Sequence, residues 1–232
     1  MHGRRLVPGA CILVPWLALA MGTPAGAQCL DGTRQLITRE RTFFTETLAA
    51  LEAAMPKPPV GWRVAEQTEV RAPRGICIGR EREPLSVEYV VRLEPVASDA
   101  RPAVMPVADG PRPARDARIL VTVNAKAARF DPHAEQLSLA AVTLALRETA
   151  DAAGRTSLGL MIGDWSLFRP DDPSESLEAR AHFDSDLGYT RVQSISVTLD
   201  GPSAPIADLA GALDVVALKR LLPKAASTAP RR

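Results

Sequence analysis

The segment 182–190 (HFDSDLGYT) has residue types at a spacing that could bind a metal ion. Asp184, Asp186 and Gly188 give the D-x-D-x-G opening of a calcium loop, in which alternate residues supply oxygen ligands. Calcium takes about six to eight oxygens and usually needs a bidentate acid later in the loop, where this sequence has none. Asp and Gly are also favoured in polar turns because of their backbone preferences. We therefore name Asp184 and Asp186 as a possible calcium site, and we favour a turn between two strands.

A second acidic group, Asp171, Asp172 and Glu175, lies in the segment 169–176 (RPDDPSES). Paired carboxylates perform acid–base chemistry when a cleft holds them in different environments. Three acids within one loop rich in Pro and Ser are more typical of a solvated surface. The sequence contains no G-x-S-x-G elbow, P-loop, H-E-x-x-H or C-x-x-C motif. We predict no catalytic residue and no cofactor, and we favour a protein that is not an enzyme.

Two of the three cysteines, Cys29 and Cys77, follow the N-terminal apolar segment. An even number of cysteines in an oxidising compartment favours a disulfide, which we predict between Cys29 and Cys77. Closing a loop of this length stabilises a fold by about 4 kcal/mol in the chain-entropy estimate. Two free thiols and a redox pair are the alternatives, and the lack of a C-x-x-C motif disfavours the redox pair. Lipid attachment at Cys29 is disfavoured because Gln28 precedes it.

Trp62 and Trp165 are candidates for a binding surface, because aromatic side chains are common in ligand grooves. Each of them flanks an apolar run, so a place in the hydrophobic core is the stronger interpretation. Only two histidines, His133 and His182, follow residue 27. They are too few for most zinc sites and offer little for a histidine-based triad.

The first 27 residues have the order of a secretory signal peptide. Arg4 and Arg5 precede the apolar stretch 10–22 (ACILVPWLALAMG), and small residues follow it as far as Ala27. This stretch is shorter than the roughly 20 residues of a spanning helix, and Pro15 interrupts it. We predict cleavage after Ala27, a periplasmic or secreted mature protein, and no transmembrane segment.

The charge balance argues against one class of partner. Removing residues 1–27 takes away two arginines and no acid, so the formal net charge changes from +1 to −1. A nearly neutral chain lacks the basic surface that nucleic-acid binding requires, and we predict no nucleic-acid partner. Basic residues do occur near the C-terminus, but a solvated tail explains them, and we predict disorder over residues 223–232.

Helical spacing occurs near both ends of the chain. From Thr33 to Met55, apolar residues recur at intervals that keep them on one helical face, and Pro56 ends the pattern. A second, broader apolar face spans residues 206–222, and Pro223 ends it. We predict a helix in each segment.

Residues 131–153 fit two interpretations. Asp131-Pro132 is a good helix start, and Leu137, Ala141 and Leu144 keep helical spacing. Leu137, Leu139 and Ala141 also alternate as in a strand. We favour the helix and keep the strand as the alternative.

Alternating apolar residues predict strands in the middle of the chain, most clearly in 85–94 (LSVEYVVRLE). Further strands are expected over 62–70, 75–79, 118–124, 157–168, 177–184 and 191–200. Residues 95–116 carry five prolines and no periodic pattern. We predict a surface loop there that joins two strands of one sheet, and a linker between two domains is the alternative.

These elements predict an α+β fold, in which an antiparallel or mixed sheet is covered by an N-terminal and a C-terminal helix. The expected organisation is a signal peptide at 1–27, a single domain at 28–222 with the Pro-rich loop 95–116, and the tail 223–232. About 200 residues are enough for one sizeable core.

The residues match no family motif, so function has to be inferred from broad features. The signal, the candidate disulfide, the small net charge and the missing catalytic motifs favour a non-catalytic exported protein of the bacterial envelope. Such a protein would bind an unknown protein or small molecule. The alternatives are a periplasmic hydrolase that uses carboxylates or a divalent ion, and an envelope-associated structural protein. The sequence does not specify the ligand or the oligomeric state.

Overall fold

The computed structural model describes residues 32–77, 83–96, 116–151 and 154–223. The predicted signal peptide, Cys29, most of the loop 95–116 and the tail after Pro223 lie outside these described residues. Within them the chain forms three helices, which are α1 (Thr38–Ala54), α2 (Ser203–Ala212) and α3 (Val215–Arg220). The described ranges also contain twelve strands, which are β1 (Thr33–Gln35), β2 (Trp62–Gln67), β3 (Gly75–Cys77), β4 (Val87–Pro95), β5 (Ala117–Val123), β6 (Ala127–Phe130), β7 (Glu135–Leu137), β8 (Leu144–Arg147), β9 (Arg155–Gly163), β10 (Trp165–Phe168), β11 (Leu177–Ala181) and β12 (Ser194–Pro202).

The strands form three antiparallel sheets. The largest has seven strands in the order β2-β4-β5-β12-β9-β8-β7, the second has three in the order β10-β11-β6, and β1 pairs with β3. The long strand β12 pairs with β5 on one side and with β9 on the other. The last strand of the described residues therefore lies at the centre of the large sheet and joins its two halves.

The predicted α+β fold, with a sheet covered by an N-terminal and a C-terminal helix, is wrong. The protein is mainly β, and its three helices are only 17, 10 and 6 residues long. Several strands have three or four residues, which is too short for an alternating pattern to be recognised in the sequence. In addition, the layer on one face of the large sheet is a second sheet and not a helix.

The helix favoured over residues 131–153 is also wrong, because this segment forms β7 and β8. Leu144 and Leu146 of β8 pack in one hydrophobic core, and Ala145 between them packs in the other. A strand that is buried on both faces shows no alternation of polar and apolar residues. Such a short apolar run cannot be distinguished from part of a buried helix by its periodicity alone.

The two terminal helices differ from the expected ranges. The predicted helix at Thr33–Met55 begins only at Thr38, because the first residues of that range form β1. The predicted helix at 206–222 is divided into α2 and α3, since the backbone at Leu213 is extended. The side chain of Asp214 then caps α3 by accepting a hydrogen bond from the backbone N–H of Ala217 at 2.8 Å.

The main hydrophobic core lies on one face of the seven-stranded sheet, which we call the front face. Alternate residues of four adjacent strands point into this core, because successive side chains of a strand point to opposite faces. These residues are Val87, Tyr89, Val91 and Leu93 of β4, Ala117, Ile119, Val121 and Val123 of β5, Ile195, Val197 and Leu199 of β12, and Leu158, Leu160 and Ile162 of β9. Helix α1 adds Phe44, Leu48 and Leu51 to the same core.

The opposite, back face of the large sheet carries a second core over β8 and β9. There the three-stranded sheet packs on the large one, with Phe130 of β6 and Trp165 of β10 among the buried residues. The ring of Phe130 lies directly on the backbone of Gly159 in β9, since a Cβ atom added to Gly159 would be 2.3 Å from Phe130 Cε1. This contact fixes how closely β6 approaches the large sheet.

The side-chain amide of Asn124 bonds to two segments that lie beside the end of β5. Asn124 follows β5 directly, is buried, and has a positive φ of 56° that asparagine tolerates better than most residues. Its Nδ2 donates to the carbonyl oxygens of Leu85 at 2.8 Å and Arg191 at 2.9 Å, and its Oδ1 accepts from the N–H of Gln193 at 2.7 Å. One amide thus joins the chain segments that enter β4 and β12 to the end of β5.

We predict that Gly159→Ala destabilises the protein, because the added methyl group would overlap the buried ring of Phe130. Overpacking of this kind typically lowers the free energy of unfolding by about 1–3 kcal/mol. Gly211→Ala in α2 is the matched control, since a Cβ atom there meets nothing within 4 Å. Urea unfolding should show a lower midpoint for Gly159→Ala and an equal or higher one for Gly211→Ala. A Gly159→Ala protein as stable as the wild type would contradict the contact.

Candidate functional site

A cleft of about 1230 Å³ opens on the back face of the large sheet, beside the three-stranded sheet. The small sheet covers only the part of the back face formed by β8 and β9. The neighbouring part, formed by β12, β5 and β4, is the floor of the cleft, and β6 is its wall on the side of the small sheet. Residues of the segments 68–77 and 83–87 also line the cavity. The cavity also continues past the start of β4 as far as Phe44 and Leu48 of α1. It exceeds the roughly 300–1,000 Å³ of common small-molecule pockets.

The floor of the cleft is lined mainly by hydroxyl groups. Thr122 of β5 is directly opposite Ser196 of β12 and also opposite Glu88 of β4 in the sheet register. Thr198 of β12 is opposite Leu120 of β5 in the next row. All of these residues line the cavity. The floor can therefore donate and accept hydrogen bonds across its width, which an apolar sheet face cannot do.

The wall of the cleft is the free edge of the small sheet. All four residues of β6, Ala127–Phe130, line the cavity. β6 pairs with β11 on one side only, since it is the last strand in the order β10-β11-β6. A strand at the edge of a sheet has backbone N–H and C=O groups without a strand partner. The cleft thus places a row of backbone donors and acceptors beside a floor of hydroxyl groups.

Charged residues of both signs surround the cleft. Lys126 Nζ forms an ion pair with Glu83 Oε2 at 2.7 Å. Arg129 of β6 is exposed, and in the described part of the chain it forms no ion pair within contact distance. It does lie near Glu178, whose pKa is lowered mainly by a hydrogen bond from Arg180 and to a smaller extent by the charge of Arg129. Arg129 is therefore available to an anionic group of a ligand.

The residues of this cleft were not among the sequence candidates. The signal was present in β5 and β12, where polar residues alternate with the apolar residues of the front core. Thr122, Ser196 and Thr198 occupy those alternate positions. The sequence identifies such positions as one face of a sheet but does not show whether they face bulk solvent or a cleft, because their alternation does not show that β6, the next strand, lies beside this face.

The predicted calcium residues Asp184 and Asp186 lie in a turn. Asp184 Oδ1 accepts the N–H of Asp186 at 2.9 Å, and the N–H of Leu187 donates to the Asp184 carbonyl at 3.2 Å. Gln193 Oε1 accepts the N–H of Asp184 at 2.7 Å. Within the described residues no group of three or more His, Cys, Asp or Glu side chains is placed to hold a metal ion. The calcium site stays a prediction, and we do not build the function on it.

The acidic loop at 171–175 is exposed. Asp172 Oδ1 accepts hydrogen bonds from the hydroxyl of Ser174 at 2.7 Å and from its backbone N–H at 2.9 Å. Both bonds stabilise the charged carboxylate, so they lower the pKa of Asp172. This geometry is that of a surface turn.

The two tryptophans occupy different environments. Trp165 is 6% exposed in the second core, and its indole N–H donates to the carbonyl of Ile162 at 3.2 Å. It belongs to the core and not to a surface. Trp62 is half-buried in the edge strand β2. Two exposed side chains are near it: Val60 precedes it by two residues, and Val96 follows Pro95, the residue opposite Trp62 in β4. A binding role for Trp62 stays a prediction.

A second cavity of about 820 Å³ is lined by residues of α3 and of the segment 182–193. His182 lies on its wall, and its Nε2 is 2.9 Å from Ser166 Oγ. A serine beside a histidine is the arrangement of an activated nucleophile, in which a third group usually orients the histidine. Among the described residues no carboxylate forms a hydrogen bond with this imidazole, and both side chains are exposed. We base no function on this pair.

A buried carboxylate connects the N-terminus of α1 to the segment that precedes β12. Glu40 is fully buried and receives two hydrogen bonds from the Arg34 guanidinium, at 2.7 and 2.9 Å. It also accepts from the N–H of Ile37 at 2.9 Å and from the hydroxyl of Tyr189 at 2.8 Å. Arg34, followed by the other two donors, holds the pKa of Glu40 at about 2, although burial alone would raise it. Arg39 in turn donates to the Tyr189 hydroxyl.

Comparison with protein-family models, with curated proteins and with solved structures finds no match. In the described part of the chain no helix is long and apolar enough to cross a membrane.

We predict that Glu40→Gln destabilises the protein in a pH-dependent way. The folded pKa of about 2 is below the ordinary 4.5, so the charge of Glu40 contributes stability that is present above about pH 4.5 and lost as the pH falls towards 2. Removing the negative charge that Arg34 binds should lower the free energy of unfolding by about 2–3 kcal/mol at pH 7, less than for a fully buried pair because Arg34 is partly exposed.

The measurement is urea unfolding of both proteins from pH 7 to pH 3. The difference between wild type and Glu40→Gln should narrow as the pH falls, because the wild-type protein progressively loses this contribution. Glu46→Gln, an exposed position on the same helix, should match the wild type at every pH. A Glu40→Gln deficit of equal size at pH 7 and pH 3 would show that the charge is not the source.

Proposed function

We propose that the mature chain is an exported, non-catalytic binding module whose ligand lies in the cleft between β6 and the back face of β12, β5 and β4. The observation that carries this proposal is the incomplete covering of the back face. The small sheet packs on the apolar part of this face and ends beside the polar part. The result is a concave site with hydrogen-bonding groups on two sides.

The chemistry of the cleft supports binding of a polar ligand. Thr122, Ser196 and Thr198 supply hydroxyl groups on a rigid sheet, and Arg129 supplies a charge at the wall. A few polar groups fixed on regular structure are what orients a ligand in a preformed site. The alternatives drawn from the sequence, a periplasmic hydrolase and an envelope-associated structural protein, stay predictions that no contact in the cleft favours.

The same proposal includes export, with residues 1–27 removed and Cys29 bonded to Cys77. The order of charged, apolar and small residues supports the removal. Two features support the bond. Thr33, which follows Cys29 by four positions, pairs with Cys77 in the small β1–β3 sheet. The sulfur of Cys77 is also bonded, and no second cysteine occurs in the described ranges.

We predict that protein purified from the periplasm of its expression host begins at Gln28 and is not alkylated by iodoacetamide in denaturant until a reductant is added. Cys77→Ser should expose one reactive thiol without reductant and should lower the free energy of unfolding by about 2–4 kcal/mol. Mass spectrometry of the alkylated peptides identifies the N-terminal residue and shows whether the cysteines are labelled. Labelling of the denatured wild-type protein without reductant would contradict the bond, and an intact N-terminus would contradict the signal.

We predict that Thr122→Tyr abolishes ligand binding without unfolding the protein. Thr122 is half-buried at the centre of the floor, so a tyrosine there should project into the cleft and fill part of it. Thr45→Tyr, at an exposed position of α1, is the matched control. Native mass spectrometry of protein isolated from its own cell envelope should reveal a bound species in the wild type and in Thr45→Tyr.

The outcome for Thr122→Tyr shows whether the ligand binds in the cleft or elsewhere on the surface. Loss of the bound species, with an unchanged melting temperature, supports the cleft as the binding site. A species that remains bound to Thr122→Tyr contradicts this location. A wild-type protein that carries no bound species contradicts the proposed function.

A further inference from the structure

We propose that the ligand of the cleft is an extended peptide segment, which adds to the free edge of β6 as a fourth strand of the small sheet. This inference rests on the proposed function, because it names the class of ligand for the same site. Strand addition is a general mode of peptide recognition, in which backbone hydrogen bonds supply affinity and alternate side chains supply specificity.

The hydrogen bonds of β6 show which of its backbone groups are available. The N–H of Ala181 donates to the carbonyl of Lys126 at 2.9 Å, and Ala181 follows Arg180, which is opposite Ala127. In an antiparallel pair, residues that bond to the partner strand alternate with residues that point away from it. Lys126, Ala128 and Phe130 therefore bond to β11, and the N–H and C=O groups of Ala127 and Arg129 point outward.

These outward groups make no hydrogen bond to any of the residues that the structure describes. The next outward group along the chain, the N–H of Asp131, is already bonded to Glu148 Oε1 at 3.0 Å. The open section of the edge is thus bounded by Asp131 at one end. It presents two donors and two acceptors at the spacing of a strand.

The position of the edge matches the space that a strand would need. Phe130 rests on Gly159 of β9, which is opposite Thr198 of β12 in the sheet register. Strands in a sheet lie about 4.8 Å apart, and packed sheets lie about 10 Å apart. A strand added beside β6 would therefore lie above β12 and β5, in the uncovered part of the back face, and would continue the layer that the small sheet begins.

The edge of β6 has neither a bulge nor a proline, although the strand is short and carries the charged Arg129. Edge strands are commonly interrupted by a bulge or by proline. β2, an edge of the large sheet, has such an irregularity between Val64 and Glu66. β6 instead keeps regular register with β11 over all four of its residues and contains no proline.

The surroundings indicate the type of side chain. Residues of an added strand that point to the floor would meet the hydroxyls of Thr122, Ser196 and Thr198, which suits small polar side chains. Residues that point the other way would lie beside Arg129 on the outer face, which suits an acidic side chain. The expected ligand is an extended peptide that alternates small polar and acidic residues.

The test uses an acetylated heptapeptide that alternates threonine and glutamate, titrated into the isotope-labelled mature protein. The amide signals of Ala127 and Arg129 should shift on binding. Ala127→Pro removes an outward donor and leaves the bonds to β11 intact, as proline is tolerated at a sheet edge. This change should weaken binding by about tenfold or more, whereas Ala127→Ser, which keeps the N–H, should bind as the wild type does.

A peptide N-methylated at alternate backbone positions provides a second reading that needs no change in the protein, in case Ala127→Pro fails to fold. This peptide should not bind when its methylated nitrogens are the ones that face β6. Equal binding of the methylated and unmethylated peptides, or equal affinities of folded Ala127→Pro and Ala127→Ser, would overturn strand addition. Absence of amide shifts at Ala127 and Arg129 up to about 1 mM peptide would also overturn it.

The failure of this inference is distinguishable from failure of the proposed function. If the species bound to the native protein is lost in Thr122→Tyr but retained in Ala127→Pro, the cleft is a binding site and the ligand does not use the edge of β6. If no variant of the cleft alters the bound species, the proposed function itself fails.

Discussion

The buried side chain of Asn124 is the constraint on which the cleft depends. Its amide satisfies the carbonyls of Leu85 and Arg191 and the N–H of Gln193, so that all of these backbone groups are hydrogen-bonded away from water. These segments lead into β4 and β12, the two neighbours of β5. The same residue turns the chain at the end of β5 with a positive φ. The residue whose bonds align the three floor strands is thus also the one at which the chain turns from β5 towards β6.

The back face of the large sheet consequently has an apolar part and a polar part. Over β8 and β9 it is apolar, with Leu144, Leu146 and Met161 buried against the small sheet. Over β12 and β5 the corresponding positions are hydroxyl residues such as Ser196 and Thr122. Gly159 lies at the boundary and admits the ring of Phe130 because it has no side chain. The composition of one sheet face thus changes where its covering ends, which is expected if the uncovered part meets water or a polar ligand.

The sequence predicts those elements whose apolar residues recur at regular intervals within one short segment. The alternation in 85–94 corresponds to β4, and the apolar helical face that starts the domain corresponds to α1. It failed where burial on both faces removes the alternation, as in β8, and where strands are as short as β6. The cleft could not be predicted from the sequence for a different reason. β12 comes from far along the chain, and although β6 follows β5 directly, no local pattern shows that β6 leaves the large sheet and lies on its back face.

The composition of the floor also bears on how a ligand would bind. A site lined by Leu or Ile at these positions would bury apolar surface without defined orientation, and left empty it would tend to associate with other copies. The hydroxyl residues Thr122 of β5 and Thr198 of β12 are partly exposed in the empty cleft, whereas Ser196 between them is buried. They are held on the central strands of the large sheet, which leaves them little freedom to lose on binding. The floor is therefore rigid, and the ligand proposed above would lose most of the conformational freedom on binding.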